Sequence, residues 1–321
     1  MPKSSSKRPS KQTSQRPSKQ PSQQPTLRFS YIFFFIISLA ILALALTYKH
    51  ITRQTPINGI LLLIETTGDI TGYYKWEETL DAKNYRAIVQ PDRAVLEAYP
   101  DYFRSLAAKG YEVATVYAEA PFWHMPYAEQ YAIMKEYKET AEAILQQPIK
   151  IFASKYFAYD ENTLKAADAL GIPYVLGRGS GIEALIYTPQ EYQARILSVS
   201  NLVFGEMGSG SLCDVSLYQR GSLTEDFAQL LQESCDQRPQ DMVLVSHVYI
   251  GGTRLDWWNV YEQALNSRQV DWQSFDQWAS TAQTISLPYA EIPFNDEVKY
   301  VDPKPAMPLE EMELLPELKK N

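Results

Sequence analysis

An α/β architecture with a mainly parallel sheet is predicted by two features of the sequence. From residue 58 onward, apolar runs of strand length, polar turns and amphipathic stretches of helical length follow one another in a repeated order, the alternation that parallel sheets with crossover helices produce. The first such run, Ile60 to Ile64, is unbroken and rich in branched residues, and it switches at Glu65 to Thr-Thr-Gly-Asp. That pattern reads as a strand buried on both faces that delivers polar side chains to a loop. Sites in α/β proteins lie at the carboxyl ends of strands, so Asn58 to Asp69, NGILLLIETTGD, is the stretch around which the remaining walls are arranged. The sheet is expected to be open or closed into a barrel.

The chain has 321 residues, 45% apolar and 12% aromatic, enough to bury a full core, with about 265 residues left for one large domain after the N-terminal segments. Residues 1–28 carry seven lysines and arginines and no acid, so the net charge of −8 conceals a body at −15. An acidic body argues against nucleic acid as a partner.

In chain order, residues 1–28 are Lys, Ser, Gln and Pro with almost nothing apolar, which predicts a disordered basic tail. Phe29 to Thr47 is 19 residues without a charge, long enough at about 1.5 Å per residue to span a hydrocarbon core. It is expected to be a transmembrane anchor, with a cleaved signal peptide as the competing reading because Ala43-Leu44-Ala45 offers small residues. The basic tail places the N-terminus in the cytoplasm and the body outside, as a single-pass membrane protein. A linker follows over 48–58, then the α/β domain over 59–290 and a C-terminal tail over 291–321.

Within the domain, strands are expected at Gly59 to Glu65, Tyr85 to Gln90, Tyr111 to Tyr117, Ile149 to Ala153, Pro173 to Gly177, Leu197 to Phe204, Met242 to Ser246 and Thr284 to Pro288. Helices are expected at Tyr73 to Ala82, Pro91 to Lys109, Tyr127 to Gln147, Asp160 to Leu170, Leu223 to Ser234 and Leu255 to Asn266. Lys109-Gly110 and Leu170-Gly171 are helix stops, and Asp160 with Thr163 three residues later marks a start. Cys213 and Cys235 are either one disulfide in an oxidising compartment or two small buried side chains.

The order of segments from about Gly59 to Leu265 resembles the polysaccharide deacetylases, the NodB-homology carbohydrate esterases. Residues 98–118, AYPDYFRSLAAKGYEVATVYA, resemble the family's helix and strand leading into its histidine motif. Residues 152–175, FASKYFAYDENTLKAADALGIPYV, resemble its Arg-Pro-Pro-x-Gly motif with the following helix and strand, and Met242 to His247, MVLVSH, resembles its late strand ending in a histidine. The resemblance implies a distorted (β/α) barrel that removes acetyl groups from N-acetylated glycans with a divalent metal held by one Asp and two His. Three positions depart from that pattern. Thr66 and Thr67 stand where the family has its Asp pair, Val116 and Ala120 where it has His-x-x-x-His, and Ala153 where it has the motif's Arg. A threonine hydroxyl supplies no anionic oxygen, and Val or Ala ligates nothing, so the standard metal site is expected to be absent.

His247 survives at a strand end, where the family places a histidine that protonates the leaving amine. Glu65 and Asp69 flank the Thr-Thr pair as candidates for the missing carboxylate, and their alternative is turn formation. His247, Glu65 and Asp69 are therefore the candidate catalytic residues. Glu119 and His124 follow the third strand and, with Glu65 and His247, are the residues from which a metal site could be rebuilt; otherwise no cofactor is expected. Tyr73, Tyr74, Trp76, Phe122, Trp123, Trp257 and Trp258 lie after three different strands, where flat apolar faces suit sugar rings, with core packing as the alternative. Arg178 and Ser180, in Gly-rich GRGSG, suit an anion or a glycan oxygen, while Gly205 to Gly210 reads as a loop. The expected substrate-binding residues are Trp123, His124, Arg178, Trp257 and Trp258. The function expected is that of a membrane-anchored cell-envelope domain acting on or binding an N-acetylated glycan; the alternative is a non-catalytic glycan-binding or envelope scaffold.

Overall fold

A computed structural model of the chain describes residues 34–42, 55–204, 208–293 and 304–320, and it divides into two units, Met1–Thr55 and Pro56–Asn321. In the first unit 34–42 is described, as a helix, along with Thr55 at its end. Nine residues at about 1.5 Å each cover under half of a hydrocarbon core. No helix among the described residues is long and apolar enough to cross a membrane, which overturns the single-pass placement with a cytoplasmic N-terminus and an external body. The rest of the expected anchor, 29–33 and 43–47, lies outside the described residues, as do the expected tail over 1–28 and the linker up to residue 54.

The second unit opens with strand β1 (Ile57–Ile64). It is central: β2 (Ala87–Gln90) pairs along one edge and β10 (Asp241–His247) along the other, both parallel, with β3 (Glu112–Val113) beyond β2 and β11 (Val270–Trp272) against the first residues of β1. A second sheet of five strands runs β12 (Thr284–Leu287), β6 (Ile186–Pro189), β7 (Arg195–Val199), β5 (Tyr174–Arg178) and β4 (Ile151–Phe152), with only the β6–β7 pair antiparallel. A short antiparallel hairpin, β8 (Asn201–Val203) and β9 (Ser209–Ser211), follows β7. Among the described residues the strands thus form two five-stranded sheets and a two-stranded hairpin. Single hydrogen bonds suture their edges: Thr115 N to the Ile151 carbonyl at 2.9 Å and Lys155 N to Ala118 at 2.9 Å on one side, Leu212 N to Ser200 at 2.9 Å and Val245 N to Leu212 at 3.1 Å on the other.

The unbroken apolar run of β1 has a direct structural cause. Leu61 and Leu63 point into a core shared with helices, whereas Ile60, Leu62 and Ile64 point into a second core filled from both sheets, with Ile88, Ile151, Leu176, Leu197 and Val243. With both faces dry, neither parity tolerates a polar residue.

The helices between strands are α1 (Thr71–Lys83), α2 (Arg93–Ala98), α3 (Pro100–Ala108), α4 (Tyr127–Leu145), α5 (Glu161–Leu170), α6 (Asp214–Tyr218), α7 (Thr224–Asp236), α8 (Val248–Gly251), α9 (Leu255–Asn266) and α10 (Phe275–Thr281). The single helix expected over 91–109 is two, because Pro100 cannot donate a backbone hydrogen bond and forces Tyr99 to φ −126°, ψ 50°. Asp160 and Thr163 form a reciprocal capping box, and Gly171 closes α5 in the left-handed region at φ 66°. β6, β9 and β11 are additional to the expected strands, and Ser209 and Gly210 belong to β9 and not to a loop. Residues 304–320 lie along this unit, with Leu315 buried in the helix-side core and its N–H bonded to the Thr253 carbonyl at 2.9 Å.

α1 begins against α8, the turn that immediately follows His247. A Cβ on Gly72 would run into the Val248 carbonyl, and backbone there has no room to retreat. Gly72→Ala is therefore expected to cost about 1–3 kcal/mol in chemical denaturation, as overpacked cores do; a loss below about 0.5 kcal/mol would show that the contact relaxes freely.

Candidate functional site

A cavity of about 410 Å³ opens where the carboxyl ends of the strands converge. Ile64 and Thr66 reach it from β1, Asp92 from β2, and Tyr117 and Glu119 from the stretch after β3. The far side is built by Ser154, Lys155 and Tyr156 after β4, Arg178 at the end of β5, Cys213 after β9 and His247 at the end of β10.

Its best-defined feature is the pairing of His247 with Asp214, the first residue of α6. Asp214 is fully buried, yet its carboxylate is saturated. It accepts from the His247 backbone N–H at 3.0 Å, from Val215 N–H at 2.7 Å and from Ser246 Oγ at 3.0 Å, and it faces His247 Nδ1 at 3.2 Å. Tyr261 fastens the same corner, its hydroxyl donating to the Val245 carbonyl at 2.7 Å while accepting from Asp214 N–H at 3.3 Å. Cys213 caps α6, its sulfur accepting from Ser216 N–H at 3.2 Å.

Burial acts against a charged imidazole, but the hydrogen bond to Asp214, Cys213 beside the ring and the Asp214 charge outweigh it and raise the His247 pKa to about 10. The shift favours the imidazolium, and the side chain is 14% exposed to the cavity, where it can donate a proton or a hydrogen bond.

Of the residues singled out in the sequence, His247, Arg178 and Glu119 line this cavity together, and Thr66 joins them. Glu65 and Asp69 do not reach it. Glu65 is buried beneath its own loop, where Oε1 accepts from Thr67 N–H and from Thr67 Oγ1 at 2.7 Å, and burial raises its pKa despite those bonds. Asp69 is exposed and holds the start of α1, accepting from Thr71 N–H at 2.8 Å. Trp123 and exposed His124 line a separate hollow with Tyr159, Asp160 and Tyr289. Trp257 and Trp258, expected at the mouth, are core: Trp257 packs on Phe227 with ring centroids 5.7 Å apart, and Trp258 packs edge-on against Trp76 at 5.1 Å. They sit in α9, a full layer outside the strand ends. Tyr73, Trp76 and Phe122 are likewise fully buried.

Sequence reasoning missed Asp214, Cys213 as a neighbour of the histidine, Lys155, Arg220 and the wall tyrosines Tyr117, Tyr156 and Tyr249. The one available signal was Cys213-Asp214 directly after a strand, where a small side chain and an acid begin a helix. Both cysteines are free and buried, Cys235 on α7.

The residues at the family's metal positions do not fit a metal. Thr66 offers only a hydroxyl, Val116 is buried in the helix-side core, and Ala120 has no donor atom. Cys213, Asp214 and His247 do bring one donor atom each within 4.8 Å of one another. Both Asp214 oxygens are already hydrogen-bonded, one of them facing His247 Nδ1, so the trio is joined by its own network.

No protein-family model and no curated protein matches the sequence. Solved structures do. A protein described as a polysaccharide deacetylase from Mycobacterium smegmatis superposes with a TM-score of 0.56 at 14% identity, covering 74% of this chain and 96% of its own. One from Pseudomonas aeruginosa gives 0.56 at 13% identity, covering 70% and 91%. The fold is polysaccharide deacetylase-like. A PuuE allantoinase shares the deacetylase-like fold at a TM-score of 0.55 and 13% identity, covering 70% of this chain and 91% of its own, so the fold alone does not select a substrate.

Proposed function

We propose that the cavity binds an N-acetylated glycan without hydrolysing it, on a deacetylase-like fold whose acetyl-releasing groups have been replaced. The observation that carries this reading is the pairing of His247 with Asp214: Nδ1 faces a buried carboxylate at 3.2 Å whose oxygens already accept from Val215 N–H, His247 N–H and Ser246 Oγ, so that carboxylate is not free to serve as a base. Three of the acids near the strand ends are engaged elsewhere, and Glu119 remains in the cavity wall. Glu65 and Asp69 are tied into their own loop, and Asp92 accepts from Val95 N–H at 2.7 Å as the cap of α2. The glycan is supported by the deacetylase-like fold and by the cavity wall, where Tyr117, Tyr156 and Tyr249 stand among polar groups.

A second reading, hydrolysis, is favoured by the same histidine, which stands at a strand end able to protonate a leaving amine. One experiment separates the two. The full chain and a His247→Ala version are assayed on N-acetylated oligosaccharides for retention and for released acetate. Retention without acetate, with affinity weakened about tenfold in His247→Ala by loss of a charged hydrogen bond, is the expected result. Acetate release that disappears in the variant would install the hydrolase instead, and no retention by either protein would end the glycan reading.

A further inference from the structure

We infer that the cavity seats an oxyanion, a carboxylate or phosphoryl group carried by the glycan, on Arg178, with Arg220 and Lys155 around it. This rests on the glycan-binding reading and narrows it to acidic sugars.

Arg178 ends β5 in the cavity wall and is 6% exposed. Its Nη2 donates to the Ser209 carbonyl at 2.8 Å, while Nε and Nη1 are buried without a hydrogen-bond partner. No carboxylate among the described residues pairs with it. Burial, and secondarily the Arg220 charge, lowers its pKa to about 10, which still leaves it cationic at neutral pH. A buried cation with unused donors is unfavourable unless a counter-charge arrives. Among the described residues no side chain supplies one, and the side chain borders the cavity.

Arg220 makes the charge denser. It donates to the same Ser209 carbonyl at 2.9 Å and to Ser216 at 2.6 Å, and lies over the Phe204 ring at 4.7 Å. Two guanidinium groups are thus gathered on one backbone oxygen, an arrangement whose repulsion an anion between them would relieve. Lys155 faces the same space from the end of β4, whereas the acids of the wall, Asp92 and Glu119, come from the β2 and β3 side. An acidic ligand is therefore oriented with its charged end toward β5. The competing explanation, that Arg178 only braces the β8–β9 hairpin, accounts for one of its five N–H donors and leaves the three on buried Nε and Nη1 unexplained.

The test is calorimetric titration of the full chain with three matched sugars: N-acetylglucosamine, its 6-phosphate and its C6 carboxylate. Inorganic phosphate and acetate are titrated separately. Expected is at least tenfold tighter binding of the acidic sugars than of the neutral one, collapsing to within twofold in Arg178→Gln and partly kept in Arg178→Lys. The ratio of the two acidic sugars identifies which oxyanion is seated. Equal affinity for all three sugars overturns the anion seat while leaving the glycan reading standing. Binding of phosphate or acetate that is lost in Arg178→Gln, with no sugar bound, does the reverse. No binding of any of these ligands overturns both. An advantage for acidic sugars that survives in a folded Arg178→Gln removes Arg178 from the assignment. Should that variant not fold, the ratio in the unaltered protein together with an Arg220→Gln variant, expected to lose most of the same advantage, still decides.

Discussion

Asp214→Ala is expected to cost on the order of 3–5 kcal/mol in urea unfolding, the range seen when one partner of a buried, hydrogen-bonded charge pair is removed. Four donor groups then lose their acceptor at once: the backbone N–H of Val215 and of His247, Ser246 Oγ and His247 Nδ1. Burial, which disfavours the imidazolium, is then opposed only by Cys213 beside the ring, so the His247 pKa should fall from about 10. Nitrogen chemical shifts of the ring report that change independently of stability. A fully folded variant whose His247 still titrates near 10 would show that the cation is held by something other than this carboxylate. Asp214→Asn, which keeps shape and some acceptor capacity but no charge, should fall between the two.

The second large effect is on alkaline stability. Because the folded pKa of His247 lies above the unfolded value, its contribution is fully present below about pH 6.5 and drains away as pH rises toward about 10. Each tenfold gain in proton affinity on folding corresponds to roughly 1.4 kcal/mol, so the contribution is on the order of 4–5 kcal/mol, an upper figure for a side chain that still touches solvent. The groups facing the ring are Asp214, Cys213 and Tyr249, the last with its ring centre 6.0 Å away and its own pKa pushed above the ordinary tyrosine range by burial. Unfolding free energies measured from pH 6 to pH 10 should therefore fall steeply in the unaltered chain and far less in His247→Gln. Parallel curves for the two proteins would remove His247 as the source.

The sequence discloses what depends on neighbours along the chain. Ile60 to Ile64 announces a doubly buried strand, Leu255 to Asn266 a helix with the bounds observed, and Asp160 with Thr163 a capping box. MVLVSH alone is enough to put His247 at a strand end. What stays hidden depends on residues meeting across the fold. Asp214 sits 33 positions before its histidine, after a three-residue strand too short and too polar to show alternation. The tryptophans of α9 suggest a binding platform because they follow the strand of His247 closely. The helix, however, turns away into the outer layer, where both rings are buried. Glu65 misleads differently, since a carboxylate at a strand end looks available until its own loop folds back over it.

The pairing of β1 with β10 sets the order in which the protein can be made. Asn58 lies beside Asp241, so the most apolar strand of the chain gains its second neighbour only after some 180 further residues have been synthesised. Until then its β10 edge offers a row of unpaired amides on a wholly apolar ribbon, the combination that recruits other nascent chains. A chain ended before residue 241 would carry that open edge permanently, and with neither β10 nor His247 it would also lack the floor of the cavity.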